Sequence, residues 1–301
     1  MIPQRTRYPS RIKLLKEDPI IKDIVEADNL FKNIKQISQG GSGVIYKVTD
    51  YNDKVYVLKI YRTGKSLDNA VREFQLVQTL NCKPSFPCYH TFYVNFLYPD
   101  MYIDDYSDED PTELHFAVKS DYIEGPTLYE LLGKQTTSEL RETFKGLVKI
   151  LCELHSLGIA HRDIKAENVI LNKYRGLVLI DYDLSCSNAV ACVGYNVGTL
   201  DYLSPRIVQD RQSGEKSMSV EEWKKSDVWS LGVLFYELAH GTVPFGNEAA
   251  TREEILNNIL KQPIVITQPK DDPELMNIIR LMLQRNPKDR PSACELVGLF
   301  S

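Results

Sequence analysis

The chain lacks any run of the roughly 18 consecutive apolar residues that a membrane-spanning helix needs. Its opening residues, MIPQRTRYPSR, hold no apolar stretch of the kind that forms a secretory leader. Both absences lead to the expectation of a soluble, intracellular protein with no membrane partner. A basic surplus is missing too: 36 Lys and Arg stand against 41 Asp and Glu, a formal net charge of −5, which argues against a general nucleic-acid binder. Cysteine is sparse, and six in 301 residues do not suggest a disulfide scaffold. Cys82, Cys88 and His90 lack the second ligand pair of a zinc site, so no metal is expected there. Cys186 and Cys192 read either as two unpaired thiols or as a redox-sensitive pair. There is no internal repeat and no low-complexity tract.

What is present suffices for one large domain or two modest lobes. Charge is uneven: Arg5, Arg7, Arg11, Lys13 and Lys16 precede the first acids, whereas 100–113 holds seven acids and no base. Each segment reads as solvated or as a docking element for an oppositely charged partner. Residues 31–61 alternate in strand fashion as FKNIKQIS, GVIYKVTD and KVYVLKIY, with short connections that predict an antiparallel meander. A helix is predicted in NAVREFQLVQTL, with Val71, Phe74 and Val77 on one face, and a strand in LHFAVKSDYI. From Thr137 onward the i, i+3, i+4 apolar spacing predicts mostly helix, with short strands around 169–180. The expected class is therefore α+β, two lobes with a ligand-binding cleft between them, preceded by an extension at 1–30.

Several residue types in order carry chemistry. Gly40, Gly41 and Gly43 lie between two strand-like runs, where glycine lets backbone amides approach a phosphate. Lys59 sits inside the apolar strand VYVLKI, and Glu73 in the following helix could hold its ammonium toward a nucleotide's phosphates. In HRDIKAEN, Asp163 could accept or orient a hydroxyl proton, and Lys165 would place positive charge near a transferring phosphoryl group. Asn168 and Asp181 offer hard oxygen ligands of the sort Mg²⁺ takes. Between them VILNKYRGLVLI reads as strand, turn and strand, which would bring Asp181 back beside Asn168.

Across roughly 31–300 these residues closely resemble the eukaryotic-type protein kinases. Ser38 to Ile45 is similar to their Gly-rich loop, Lys59 and Glu73 to their Lys–Glu pair, and HRDIKAEN to their catalytic loop. Asp181-Tyr182-Asp183 stands at their DFG position, and GTLDYLSPR, KSDVWSLGVLFYEL and NPKDRPS match later elements. The resemblance implies a bilobal kinase fold with an antiparallel N-lobe sheet and one helix (about 31–122) and a mostly helical C-lobe (about 123–301). It implies ATP and Mg²⁺, with Mn²⁺ as a substitute, and an unidentified protein substrate. Asp163 and Lys165 would be catalytic. Nucleotide contacts would come from Ser38, Gly40, Gly41, Ser42, Gly43, Ile45, Val57, Lys59, Glu73, Ser120, Asp121, Asn168 and Asp181, with Asn168 and Asp181 on the metal. Lys165 and Thr199 fit the Ser/Thr type. A pseudokinase acting as a nucleotide-binding interaction module and a small-molecule kinase are the alternatives.

The chain departs from that pattern at three places. Asp183 replaces the glycine, and Tyr182 can replace the phenylalanine by stacking with His161 and Val77 if its hydroxyl finds a partner. Arg206 stands where a glutamate usually pairs with the arginine matching Arg290, and Glu215, Glu221 or Glu222 is expected to supply the missing charge. Ser185, Ser187 and Tyr195 are candidate phosphosites, with Arg162 placed to grip a loop phosphate.

Overall fold

The computed structural model describes residues 21–26, 29–40, 43–61, 67–97, 116–188, 192, 197–213, 218–246, 250–265 and 272–300. The basic stretch at 5–16, the acidic run at 100–113, Gly41, Ser42, Tyr195 and Glu215 lie outside the described residues. The chain divides into two compact units, Met1–Cys82 with Pro87–Tyr122, and Lys83–Phe86 with Ile123–Ser301.

The first unit is a sheet with a helix on one face. β2 (Phe31–Gln39), β3 (Gly43–Asp50) and β4 (Val55–Tyr61) form the predicted antiparallel meander. β6 (Phe116–Asp121) pairs antiparallel with β4 and with β5 (Tyr89–Leu97). The region read from the sequence as an extension contributes β1 (Ile21–Glu26), a parallel partner of β5 at the sheet edge. Strand periodicity divides β4 cleanly. Tyr56, Leu58 and Ile60 join Phe31, Tyr46, Val48, Tyr93 and Ala117 in one core. On the opposite face Tyr61 meets Ala70, Val71 and Phe74 of α1 (Leu67–Gln78), together with Phe92, Val94, Phe116 and Val118. Lys59 shares that face of the strand, which is why a lysine inside VYVLKI can reach the helix.

The second unit is mostly helical: α2 (Thr137–Ser156), α3 (Pro205–Ser213), α4 (Val220–His240), α5 (Arg252–Lys261), α6 (Pro273–Met282) and α7 (Ala293–Val297). α2, α4, α5 and α7 each open with a capping box, a Ser or Thr whose side chain and Glu partner satisfy amides of the first turn. α4 is apolar nearly all round and buried, as a central helix should be. Its Phe235 stacks on Phe144 of α2 at 3.7 Å, and Trp229 stacks on Phe245 at 5.5 Å. Two short antiparallel pairs complete the unit: β7 (Ile159–Ala160) with β10 (Cys186–Ser187), and the hairpin of β8 (Val169–Asn172) with β9 (Gly176–Leu179).

The cysteine expectation is corrected. All six residues pair, as Cys82–Cys88, Cys152–Cys294 and Cys186–Cys192, and no free thiol remains. For Cys186–Cys192 pairing was one of the two readings above, whereas for Cys152–Cys294 sequence spacing hides it because the partners meet through tertiary structure. Cys152 on α2 and Cys294 on α7 are 142 residues apart yet 4.7 Å apart at Cα, within disulfide range.

Arg206 has two carboxylates in reach, of which Glu222 was among those expected and Asp210 was not. Its Nε lies 3.2 Å from Asp210 Oδ1, one turn further along α3, and an Nη lies 3.9 Å from Glu222 Oε1. Asp210 is buried, so the principal countercharge is a residue that sequence reading passed over. Glu222 is engaged mainly in capping α4 through Ser219. Arg290 is fully buried without using a carboxylate. It donates to the carbonyls of Gln284, Arg285 and Lys225 and lies over the Trp229 ring. Burial lowers its pKa to about 10.

Two outcomes follow from these contacts. Unfolded without reductant, the protein should show no titratable thiol, and the Cys152→Ala/Cys294→Ala variant should lose about 2–5 kcal/mol of stability in denaturant. An unchanged midpoint would mean that the bridge contributes nothing. Arg206→Glu would set a second carboxylate one helical turn from Asp210 and should cost about 2–4 kcal/mol, with part recovered by adding Asp210→Arg. A neutral Arg206→Glu would dismiss the pairing.

Candidate active site

In the second unit, the loop at 161–168 is held from beneath by Asp227 of α4. Its carboxylate accepts the backbone amides of His161 and Arg162, both at 2.8 Å, and His155 Nε2 at 3.0 Å. Arg162 has φ 72°, a left-handed conformation costly for a long side chain, and its amide bond to Asp227 holds it there. The Arg162 side chain does not face solvent as a phosphate grip would. The guanidinium is buried 4.1 Å over the Trp223 ring, and burial, opposed by the charge of Asp227, lowers its pKa to about 10. His161 accepts the Asp163 amide at Nδ1 and donates from Nε2 to the Ile180 carbonyl. Burial keeps its pKa below the ordinary value, so the ring is neutral.

Asp163 is the hub. Lys165 Nζ lies 2.8 Å from its Oδ2, and Thr199 donates to its Oδ1 from both N (3.1 Å) and Oγ1 (2.8 Å). Lys165 Nζ also donates to Thr199 Oγ1 at 3.1 Å, which closes a triangle of Asp163, Lys165 and Thr199. Burial disfavours the Asp163 charge, yet the hydrogen bond and charge of Lys165 and the hydrogen bond from Thr199 outweigh it. The carboxyl titrates below its ordinary value and is ionised at neutral pH. Gly198 makes the Thr199 approach possible. Its φ is 94°, and a Cβ there would lie 3.1 Å from the Arg162 carbonyl.

Asn168 donates from Nδ2 to the backbone carbonyl of Asp163 (2.9 Å) and to its Oδ2 (3.1 Å), which leaves the amide oxygen as its acceptor for a metal. The β8–β9 hairpin returns the chain as expected: Ile180 N donates to the Asn168 carbonyl at 2.9 Å, with Asp181 next in sequence. An amide oxygen and a carboxylate suit a hard divalent cation. Tyr182 is fully buried, edge-on to His161 at 5.0 Å, and its hydroxyl donates to the Leu179 carbonyl at 3.1 Å. Asp183 has no left-handed φ, whereas Asp181 has φ 65°. The backbone freedom of a glycine is therefore not used at position 183. Ser185 donates to the His161 carbonyl at 3.2 Å, and Ser187 lies in β10.

In the first unit, Lys59 Nζ meets Glu73 Oε1 at 3.1 Å and Oε2 at 3.3 Å, both side chains buried. Gly43 begins β3, where a Cβ would lie 2.1 Å from the Ile60 carbonyl, so only glycine fits the pairing of β3 with β4. Gly40 faces open space, and its amide donates to the Gly43 carbonyl at 2.9 Å. Ser38 pairs with Ile45 across β2 and β3, and Ile45 with Lys59 across β3 and β4. Val57 is in register with Ser120, a buried small residue of β6. Asp121 is committed locally, accepting the Cys88 amide at 3.2 Å and His90 at 2.8 Å. Sequence reasoning missed Asp227 with His155, and Tyr61 and Tyr89, whose hydroxyls donate to Glu73. An acid inside the apolar run of α4 was the available signal for the first; nothing local marks the two tyrosines.

Residues 31–299 match the protein kinase domain family, and the chain belongs to it. Similar curated proteins include the serine/threonine-protein kinase Nek6 of Oryza sativa subsp. japonica, 28% identical over 89% of this chain and 47% of that protein. Ribosomal protein S6 kinase alpha-3 of Mus musculus is 30% identical over 60% of this chain and 25% of its own length. Serine/threonine-protein kinase 36 of Pongo abelii is 29% identical over 88% of this chain and 18% of its own length. The chain thus spans about half or less of the length of these relatives. Membership means an α+β eukaryotic-type kinase fold, a transferase class that uses ATP and a divalent metal. Among the described residues no helix is long and apolar enough to cross a membrane.

Removing the hydroxyl that links Asp163 to Lys165 tests this network. Thr199→Val should lower kcat about tenfold, the rate equivalent of one hydrogen bond of about 1.4 kcal/mol. The acid limb of the pH–rate profile should shift to higher pH, because a bond that holds the Asp163 pKa down is lost. An unmoved limb would count against the role of Thr199.

Proposed function

We propose that this chain transfers the γ-phosphate of Mg-ATP to serine or threonine hydroxyls of a protein substrate. The observation that carries the reading is the closed triangle of Asp163, Lys165 and Thr199. In it an ionised carboxylate and an ammonium are held together where a hydroxyl would be oriented for in-line attack. Asp163 orients the substrate hydroxyl and accepts its proton as the oxygen–phosphorus bond forms and the bond to the ADP leaving oxygen breaks. Lys165 stabilises the negative charge that develops on the phosphoryl oxygens. Lys59, held by Glu73, positions the nucleotide's phosphates, and the Gly-rich segment from Ser38 to Ile45 covers them. Val57, Ser120 and Asp121 belong to the nucleotide-binding set. Asn168 and Asp181 would hold the Mg²⁺, which when bound neutralises phosphate charge. Catalysis in this design is positioning and electrostatics more than covalent chemistry.

The proposed kinase domain is 31–301, with 1–30 as its extension. The net charge of −5 supports a protein rather than a nucleic acid as the partner. An intracellular location remains the proposal, with the added requirement that thiols stay oxidised there, since all six cysteines are paired.

Transfer of label from γ-labelled ATP to a generic basic protein, with Mg²⁺ or Mn²⁺, tests the reading directly. Wild type should label Ser or Thr, while Asp163→Asn and Asp181→Asn should lose the signal by at least a hundredfold. Nucleotide binding without any transfer would favour a pseudokinase, and transfer to metabolites alone a small-molecule kinase.

A further inference from the structure

The Glu73 carboxylate receives more than the lysine that the family pattern assigns to it. Tyr61 Oη donates to Oε2 at 2.8 Å and Tyr89 Oη to Oε1 at 2.7 Å, beside the Lys59 contacts at 3.1 and 3.3 Å. A carboxylate offers about four lone-pair directions, and these four contacts draw on both oxygens. The donors come from two strands. Lys59 and Tyr61 are two apart on β4 and so share a face, and Tyr89 opens β5. Glu73 and Tyr61 are almost fully buried, and Phe74 packs against Tyr89 and Phe92 next to the cluster. Lys59 Nζ also lies 5.3 Å from the Tyr61 ring centre, so that one ring supports both partners of the ion pair. Every participant belongs to the first compact unit.

A helix glutamate paired only with a lysine is free to swing away, and the pair must then be assembled by some other event. A glutamate that is also anchored to two strands by short, charge-assisted phenol bonds has little to gain by leaving. We propose that Tyr61 and Tyr89 are positioning residues that hold Glu73, and through it Lys59, in the nucleotide-ready arrangement before any ligand or modification arrives. The inference rests on the proposed role of Lys59 in binding ATP. It makes α1 a fixed wall of the nucleotide site in this chain rather than a switch.

The test is the Tyr61→Phe/Tyr89→Phe variant, which keeps both rings and removes both donors, with each single variant beside it. Hydrogen exchange across 67–78 without nucleotide should accelerate about tenfold or more in the double variant. KM for ATP should rise about tenfold with kcat within about twofold, the split expected when a ground-state positioning contact is lost. Thermal stability should fall as well, because the buried carboxylate loses two donors even though ring packing is retained. A merely structural role predicts that loss with KM unchanged, and that result would overturn the proposal. So would wild-type exchange rates in the double variant. If the double variant does not fold, the single variants decide, each expected to raise KM by about threefold. A wild-type protein that transfers no phosphate sinks the proposed function instead, and the exchange result then decides the clamp by itself.

Discussion

A carboxylate shut away from water keeps the catalytic loop in shape. Asp227 is almost fully buried, and a buried charge is tolerable only when its lone pairs are filled. They are filled by two consecutive backbone amides, those of His161 and Arg162, and by the His155 ring. Breaking the loop would strand the charge, so the loop and α4 stand or fall together. The same helix carries Ser226, Ser230 and Glu237 at spacings that keep them near one face. Ser226 meets Ser204 at 2.9 Å, Ser230 donates to the Tyr202 carbonyl at 2.8 Å, and Tyr202 donates to Glu237. One buried helix thereby locates both the segment bearing Asp163 and the segment bearing Thr199. Their meeting is a consequence of that shared anchor rather than of anything in either loop.

The same loop geometry bears on the DYD sequence. The glycine usually found at position 183 matters where the backbone must flip, but here the left-handed positions are Arg162 and Asp181. Arg162 is held by Asp227, while Asp181 follows directly on the bond from Ile180 to Asn168. Tyr182 fills the aromatic position with its hydroxyl satisfied by the Leu179 carbonyl. A larger and more polar side chain is accepted because its one polar atom has a partner. Asp183 therefore sits outside the left-handed region that favours glycine, whereas Asp181 occupies it.

Local periodicity made most of the fold legible. The meander from Phe31 to Tyr61, α1 and the hairpin that returns Asp181 toward Asn168 all follow from two- and 3.6-residue patterns with turn signals. Asp163, Lys165 and Thr199 were legible as a group because their residue types and order were distinctive, and the structure brings them together. What stayed hidden depends on long-range packing. The Arg206 partner is Asp210, one turn away, a relation readable only once α3 is known to be a helix with Asp210 facing inward. Tyr61 and Tyr89 are ordinary strand aromatics until β4, β5 and α1 are packed. The cysteines are a further case, since a separation of 142 residues between partners carries no local mark.

The three bridges divide by what they can do. Loop-closure entropy grows slowly with loop length, so a bridge across six residues contributes about 2 kcal/mol, against about 5 kcal/mol for one spanning 142. Cys152–Cys294 is thus the staple of the helical unit, tying α2, whose His155 meets Asp227, to α7. Cys186–Cys192 serves geometry more than stability. Cys186 is fully buried and in register with Ala160, the residue just before His161, so the pairing of β10 with β7 sets the segment that follows DYD beside the strand leading into the catalytic loop, and the bridge closes the short span from there to Cys192. The sparse cysteine content that argued against a disulfide framework in the sequence is therefore misleading. Two of the bridges close spans of six residues, and the third closes one of 142 residues within the helical unit.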